Sequence, residues 1–147
     1  MSADPKTVEA LSVLLANTYT LAFKTHGYHW NVRGSNFVAL HELFESQYDA
    51  LYEAADELAE RLRALGVDAP ASFQRYAELA TIKADGAVID QTAMVTALRD
   101  DHRAVAKSAY ALIEAADDAD DAGTEDLATE RVQEHEKAAW MLGAILG

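Results

Sequence analysis

The sequence of 147 residues contains no cysteine, only two prolines and only seven glycines. Without cysteine, a disulfide scaffold, thiolate catalysis and cysteine-ligated zinc or iron–sulfur sites are excluded. Few prolines and glycines leave room for long helices, which the abundant alanine, leucine, glutamate and arginine favour. No apolar run approaches the roughly 20 residues that a bilayer span requires, and the opening residues, MSADPKTVEAL, do not resemble a signal peptide. We therefore expect a helical, cytoplasmic protein without a membrane segment.

Basic residues are also scarce, since 12 lysines and arginines face 25 aspartates and glutamates, for a net charge of −13. Such a charge repels nucleic acid phosphate and anionic lipid and attracts cations, although solubility alone is its simplest explanation. Half of the residues are apolar, which suffices for a folded core. We expect one domain that spans residues 1–147.

Apolar residues at helical spacing predict four long helices and one short helix. The first begins at Asp4 and Pro5, which suit the N-cap and the first helical position, and runs to Trp30 or Val32. The others are expected at about 37–65, 72–79 (short), 91–118 and 125–146, with a loop at 84–90 and an acidic turn at 117–124. The residues expected to face inward include Phe37, Leu40, Phe44 and Leu51 in the second helix and Leu127, Val132, Ala139, Leu142 and Ile145 in the last. Four amphipathic helices with one long crossover predict a four-helix bundle.

Histidines and acidic residues cluster in the stretch HGYHWNVRGSNFVALHELFE (26–45) and slightly beyond it. Imidazole and carboxylate together suit a divalent ion such as iron(II), zinc or manganese. The pairs that share a helical face are His26 with His29, His41 with Glu45, and Asp56 with Glu60.

These pairs cannot all meet within one chain. His41 and Asp56 are fifteen residues apart, about 22 Å along a helix, yet their directions differ by only about 60°. A second copy of the helix, crossing antiparallel near residues 50–51, would bring His41 of one chain to Asp56 and Glu60 of the other. His29 could join from the neighbouring helix. The two-fold contact would create two identical sites.

Simpler interpretations stay open at this point. His26, His102 and His135 could be ordinary surface or core histidines, and the pair of His41 with Glu45 could be a routine intrahelical contact. No Glu-x-x-His motif occurs, so a di-iron site within one chain is not indicated. The segment HELFE lacks the second histidine of a zinc protease motif.

The segments KTHGYHWNVRGSNFVALHELFESQYDAL (24–51) and DELAERLRALG (56–66) resemble the Dps family of miniferritins, named for a DNA-binding protein from starved cells. The likeness rests on His-Trp-Asn-x-x-Gly, Asn-Phe, Leu-His-Glu and Asp-x-x-x-Glu-Arg. It implies an all-α, ferritin-like four-helix bundle with a short extra helix in the long connection. It also implies a hollow dodecamer with ferroxidase centres at two-fold interfaces.

The resemblance implies a ligand set as well. By motif, His29 and His41 of one subunit and Asp56 and Glu60 of its mate would bind iron, and Glu45 would help to hold it. The implied activity is oxidation of iron(II), with hydrogen peroxide preferred over dioxygen, and storage of the ferric product as mineral. Zinc is a second possible occupant of the same site.

Further roles are implied for residues near this centre and at the acidic turn. Trp30 would intercept stray oxidising equivalents, although packing is its simpler role. Glu42 and Glu45 would face the cavity and seed mineral. Iron would enter through three-fold pores lined by three acidic residues, Asp121, Asp126 and Glu130. Carboxylates also favour helix N-termini for ordinary electrostatic reasons.

DNA binding in the family is usually carried by a tail rich in lysine and arginine. The residues MSAD before the first helix and AILG at the end provide no such tail, so we expect weak or no DNA binding. The alternative function is nucleoid compaction with a secondary metal site. A third is a zinc site that only clamps the dimer.

Overall fold

The computed structural model describes residues 3–84 and 86–147. This part of the chain contains no strand and forms five helices: α1 (Pro5–Asn31), α2 (Phe37–Ala64), α3 (Phe73–Leu79), α4 (Gln91–Asp118) and α5 (Ala122–Leu146). Helices α1 and α2 pack together, as do α4 and α5, and α1 joins the two pairs through α4. The predicted all-α bundle and the short helix in its long connection are confirmed. The expected loop at 84–90 includes Asp85, which lies outside the described residues, as do Met1 and Ser2.

Side-chain caps start three of the helices where the sequence provides an aspartate. Asp4 accepts the Thr7 N–H at 2.9 Å before α1, and Asp90 accepts the Ala93 N–H at 2.8 Å before α4. Helix α5 begins at Ala122 rather than at 125, because Asp121 is its N-cap. The sequence prediction placed this start three residues too late.

The turn between α1 and α2 is held by a residue from elsewhere in the chain. Gly34 adopts a positive φ of 127°, which glycine tolerates. The Gln91 side chain accepts the Asn36 N–H at 3.0 Å and donates to Ser35 Oγ at 3.1 Å. A Cβ on Gly34 would lie 2.9 Å from Gln91. Asn36 is the N-cap of α2, but its side chain makes no capping hydrogen bond; its own N–H is bound by Gln91.

The core lies between the four long helices and consists mainly of leucine. Two residues expected to face inward, Phe37 and Ile145, are instead exposed, and Leu127 is only partly buried. Phe37 and Ile145 lie in terminal turns of their helices, where fewer neighbouring side chains cover the surface. The largest fully buried side chains are Phe44, Leu11, Leu14, Leu15, Leu21, Leu58, Leu62, Met94, Leu98, Leu112, Leu142 and His135.

The long connection after α3 is fixed to α1 by one buried amide. Asn17 Nδ2 donates to Thr81 Oγ1 at 2.9 Å, and Asn17 Oδ1 accepts the Thr81 N–H at 2.7 Å. Both ends of the amide are therefore satisfied, as a buried polar group requires. Over the described ranges, none of the helices has the length and apolar content that a membrane span needs.

Candidate metal centre

The turn between α1 and α2 brings His29 and His41 into contact. His29 lies in the last turn of α1, and His41 lies in the second turn of α2. The Nδ1 of each ring hydrogen-bonds the main-chain carbonyl of the other residue, at 2.7 Å in both directions. The rings stack with centroids 3.8 Å apart and an interplanar angle of 14°.

These reciprocal bonds define the protonation of both rings. A carbonyl oxygen can only accept, so each Nδ1 carries the proton and each Nε2 keeps a free lone pair. Metal-binding histidines commonly have one ring nitrogen fixed in this way by a carbonyl, which orients the other nitrogen toward the ion. His29 and His41 are therefore prepared to bind a metal through Nε2.

Glu45 extends this pair by one carboxylate. Its Oε1 lies 3.8 Å from His29 Nε2, because Glu45 follows His41 by about one turn of α2. His29 is buried and Glu45 is exposed, so the donors lie at the border between core and surface. Within the described part of one chain, no three histidine, aspartate or glutamate side chains are grouped closely enough to hold an ion.

The second predicted half of the site lies further along α2. Asp56 and Glu60 are both exposed, one turn apart on the same face. A side-chain hydrogen bond with Asp56 and the Asp56 charge, followed by burial and the Glu57 charge, raise the pKa of Glu60. A cation bound between two such carboxylates would reduce the repulsion between their negative charges. The single chain keeps this pair about 22 Å along the helix from His41.

Trp30 and two neighbouring aromatic rings border the histidine pair. Trp30 is 57% exposed, and its ring centroid lies 4.2 Å from that of His26. His26 also stacks on Tyr48 at 4.0 Å and 19°. Burial, then the charges of Glu45 and Asp49 and a hydrogen bond with Glu45, raise the pKa of Tyr48. The sequence prediction missed Tyr48, although its position one turn after Glu45 places it on the same face.

The three candidate pore residues have different environments. Asp121 accepts from Thr124 N–H at 3.1 Å and from Arg61 at 2.8 Å. Burial raises the pKa of Asp121, but the bonds from Thr124 and Arg61 outweigh it and lower the pKa overall. Asp121 therefore has a structural role at the start of α5. Asp126 and Glu130 are exposed, four residues apart on α5. All three residues stay predicted pore residues.

Comparison with known proteins identifies the type of bundle. A family model described as a ferritin-like domain matches residues 8–147. DNA protection during starvation protein 2 of Bacillus anthracis is 36% identical over 145 residues, which cover 97% of this chain and 98% of that protein.

Solved structures agree with this result. Dps from Staphylococcus aureus superposes with a TM-score of 0.95 at 30% identity, covering 100% of this chain and 99% of that chain. A Dps protein from Vibrio cholerae O1, described as a ferritin-like diiron-carboxylate protein, has a TM-score of 0.93 at 34% identity, with 100% and 98% covered. The fold and the site thus define a ferritin-like protein. The chain belongs to the Dps family of miniferritins, as its sequence motifs predicted.

Proposed function

We propose that this protein stores iron and oxidises iron(II), preferentially with hydrogen peroxide, at centres shared between two subunits of a hollow dodecamer. In each centre, His29 and His41 of one subunit and Asp56 and Glu60 of its mate bind iron, and Glu45 assists. Iron is the substrate here, and its ferric product is kept as mineral inside the shell.

The observation that carries this proposal is the pair of hydrogen bonds between His29 and His41. They leave both Nε2 lone pairs free, and Glu45 Oε1 lies 3.8 Å from His29 Nε2. One chain offers these donors at one end of α2 and the pair Asp56 and Glu60 at the other. A second chain crossing α2 antiparallel would complete two such sites at once.

The ligand set suits a two-electron reaction. Carboxylates stabilise the higher charge of iron(III) through stronger electrostatic attraction. Two iron(II) ions each give one electron to one peroxide molecule, whose O–O bond breaks and which takes up two protons to form two water molecules. Because both electrons arrive together, no hydroxyl radical is released.

The assembled shell would control how iron enters and where the ferric mineral forms. Exposed Asp126 and Glu130, repeated around a three-fold axis, would concentrate cations at a narrow pore. Glu42, which is exposed, would join Glu45 in nucleating mineral. Trp30, close to the centre and exposed, would intercept stray oxidising equivalents.

The test adds anaerobic iron(II) to the purified assembly, then substoichiometric hydrogen peroxide, and follows ferric absorbance. We expect rapid oxidation of two irons per peroxide in the wild type and a rate at least about tenfold lower in Asp56→Ala. The control is Asp68→Ala, whose carboxylate is 98% exposed and pairs with Arg63. Equal slow rates in wild type and Asp56→Ala, with tight zinc binding by the wild type, would favour a structural zinc clamp.

DNA compaction is the second candidate, since the Bacillus anthracis relative is named for DNA protection. The net charge of −13 opposes contact with phosphate backbones, so we propose that protection comes from removing iron and peroxide. A plasmid mobility assay without added divalent metal should show no shift at physiological salt. A shift under these conditions would favour direct DNA binding.

A further inference from the structure

A cleft with an open volume of about 270 Å³ lies between α2 and α5 and does not include His29, His41 or Glu45. Its size is just below the roughly 300–1,000 Å³ range of small-molecule pockets, so it suits a small ligand. Gln47 of α2, His102 of α4, and Arg131 and His135 of α5 reach it. His102 is 2% exposed, His135 0% and Arg131 7%. Three polar side chains that line the cleft are therefore almost fully withdrawn from water, and Gln47 is partly buried.

The hydrogen bonds among these side chains determine which atoms carry protons. Arg131 can only donate, so its contact of 3.4 Å makes His135 Nε2 an acceptor and leaves the proton on His135 Nδ1. That Nδ1–H donates to His102 Nδ1 at 2.9 Å. His102 must then carry its proton on Nε2. Burial lowers the pKa of both histidines, which keeps each ring neutral with one proton.

This chain of bonds ends in donors without acceptors. Over the described residues, no protein atom accepts from His102 Nε2 or Arg131 Nε, and the Gln47 amide has no partner at its nitrogen or its oxygen. A buried donor left unpaired costs roughly 1–3 kcal/mol, so several of them around one space favour a ligand rich in acceptors.

Charge in the cleft favours an anion. Arg131 forms no ion pair with any carboxylate among the described residues, although Glu134, Glu130 and Glu57 support its positive charge against burial. Lys137 adds a second cation and Glu134 one carboxylate to the lining. Among the lining residues two cations thus face one carboxylate, and Glu130 and Glu57 lie outside the lining.

We propose that this cleft binds a small oxyanion of the phosphate class, which accepts from His102 Nε2–H, Arg131 Nε–H and the Gln47 amide N–H. Inorganic phosphate keeps at least one O–H at neutral pH, and Gln47 Oε1 provides an acceptor for it. Sulfate has no such proton, so the cleft should prefer phosphate over sulfate. The site is independent of the iron centre.

The first test is calorimetric titration of the metal-free assembly with phosphate, because ferric mineral would itself bind phosphate. We expect one saturable site per chain, with sulfate about tenfold weaker. Asp56→Ala should bind phosphate like the wild type, which separates this result from the iron chemistry. Absence of saturable binding at a few millimolar phosphate would overturn the proposal.

Matched variants locate the site. Gln47→Leu should weaken phosphate binding about tenfold, whereas Gln133→Leu, an exposed glutamine of α5 outside the cleft, should not change it. Glu134→Gln should strengthen binding by removing a repulsive charge, and Glu136→Gln, exposed and outside the cleft, should have less effect.

Crystals of the assembly soaked in arsenate, an anomalous scatterer of the same shape, would show the position directly. We expect a peak within hydrogen-bond distance of His102 Nε2. A cleft filled only by water or by a carboxylate of a neighbouring subunit, or equal effects of each variant and its control, would contradict the site.

Discussion

The imidazoles of His29 and His41 each bind the main-chain carbonyl of the other residue at 2.7 Å. This arrangement ties the last turn of α1 to the second turn of α2 and fixes both Nε2 atoms at the same time. The same bonds that close the α1–α2 turn therefore prepare half of the proposed metal centre. Loss of either ring removes one ligand and the ring stacked on the other, while the main-chain carbonyl that accepts from the remaining Nδ1 stays in place.

His29→Gln should lower the rate of peroxide-dependent iron oxidation by about 10- to 100-fold, since it removes a ligand and the ring that stacks on His41. The matched control is His26→Gln, because His26 lies one turn earlier and contacts aromatic rings rather than Glu45. Stopped-flow absorbance of assembled proteins measures both rates. Equal losses in the two variants would mean that the aromatic packing, and not the His29 ligand, controls the reaction.

Helix positions were largely predictable because the signals that start and stop helices are local. Asp4 and Asp90 cap the helices that follow them, and Gly66, with a φ of 87°, follows the C-cap of α2. The start of α5 was missed because it follows a run of aspartates, any of which could cap. The choice of Asp121 depends on Arg61, which reaches it from α2 at 2.8 Å.

Features of the site that depend on contacts between helices could not be predicted. The sequence indicated His29 and His41 as ligands, but their mutual hydrogen bonds require the finished α1–α2 turn. Gln91 supports that turn from 55 positions away, with no local signal. Likewise, the pair of His102 and His135 exists only because α4 and α5 pack together.

Acid should destabilise the protein through His102 and His135. Burial, together with the Arg131 charge, lowers the pKa of His102 to about 3, and burial, His102 and Arg131 hold the pKa of His135 well below its usual value. Unfolded histidine titrates near 6.5. Above about pH 6.5 the stabilisation is complete. As the pH falls below about 6.5, the unfolded chain binds protons that the folded chain excludes, and the free energy of unfolding falls by about 1.4 kcal/mol per pH unit per histidine.

Denaturant unfolding of wild type and His102→Gln at about pH 7.5 and about pH 5.5 tests this effect. Helicity and assembly size would both be followed. We expect the variant to lose about 1.4 kcal/mol less than the wild type over this interval, because one titrating group is gone. An identical pH dependence in the two proteins would contradict a neutral, buried His102.

We expect Asp121 to stabilise the folded protein. Asp121→Ala removes the N-cap of α5 and the partner of Arg61, so the free energy of unfolding should fall by about 1–2 kcal/mol. Thermal or denaturant unfolding measures the change. If stability is unchanged and iron uptake slows instead, Asp121 belongs to a pore.

We expect Asp126 and Glu130 to speed the entry of iron into the assembly. The double variant Asp126→Asn, Glu130→Gln should slow uptake into the assembly, because exposed carboxylates concentrate cations at a pore. Its stability should stay within about 0.5 kcal/mol of the wild type, as for ordinary surface substitutions. Unchanged uptake kinetics at low ionic strength would exclude these two residues from the path of iron.

The two-chain centre can be tested by mixing two inactive variants. His41→Ala destroys the histidine half of the proposed site, and Asp56→Ala destroys the carboxylate half. In a mixed dimer, the intact histidine half of the Asp56→Ala chain faces the intact carboxylate half of the His41→Ala chain, so one of the two sites is whole. Random reassembly of equal amounts should therefore restore about a quarter of the wild-type sites.

Each variant reassembled alone is the control and should stay inactive. If all ligands belonged to one chain, mixing could not restore any site, and the activity would stay at the level of the controls. Recovery near a quarter, measured as the rate of iron oxidation relative to the wild-type assembly, would show that each centre needs residues from both subunits. It would also explain why donors at opposite ends of α2, about 22 Å apart, belong to the same chemistry.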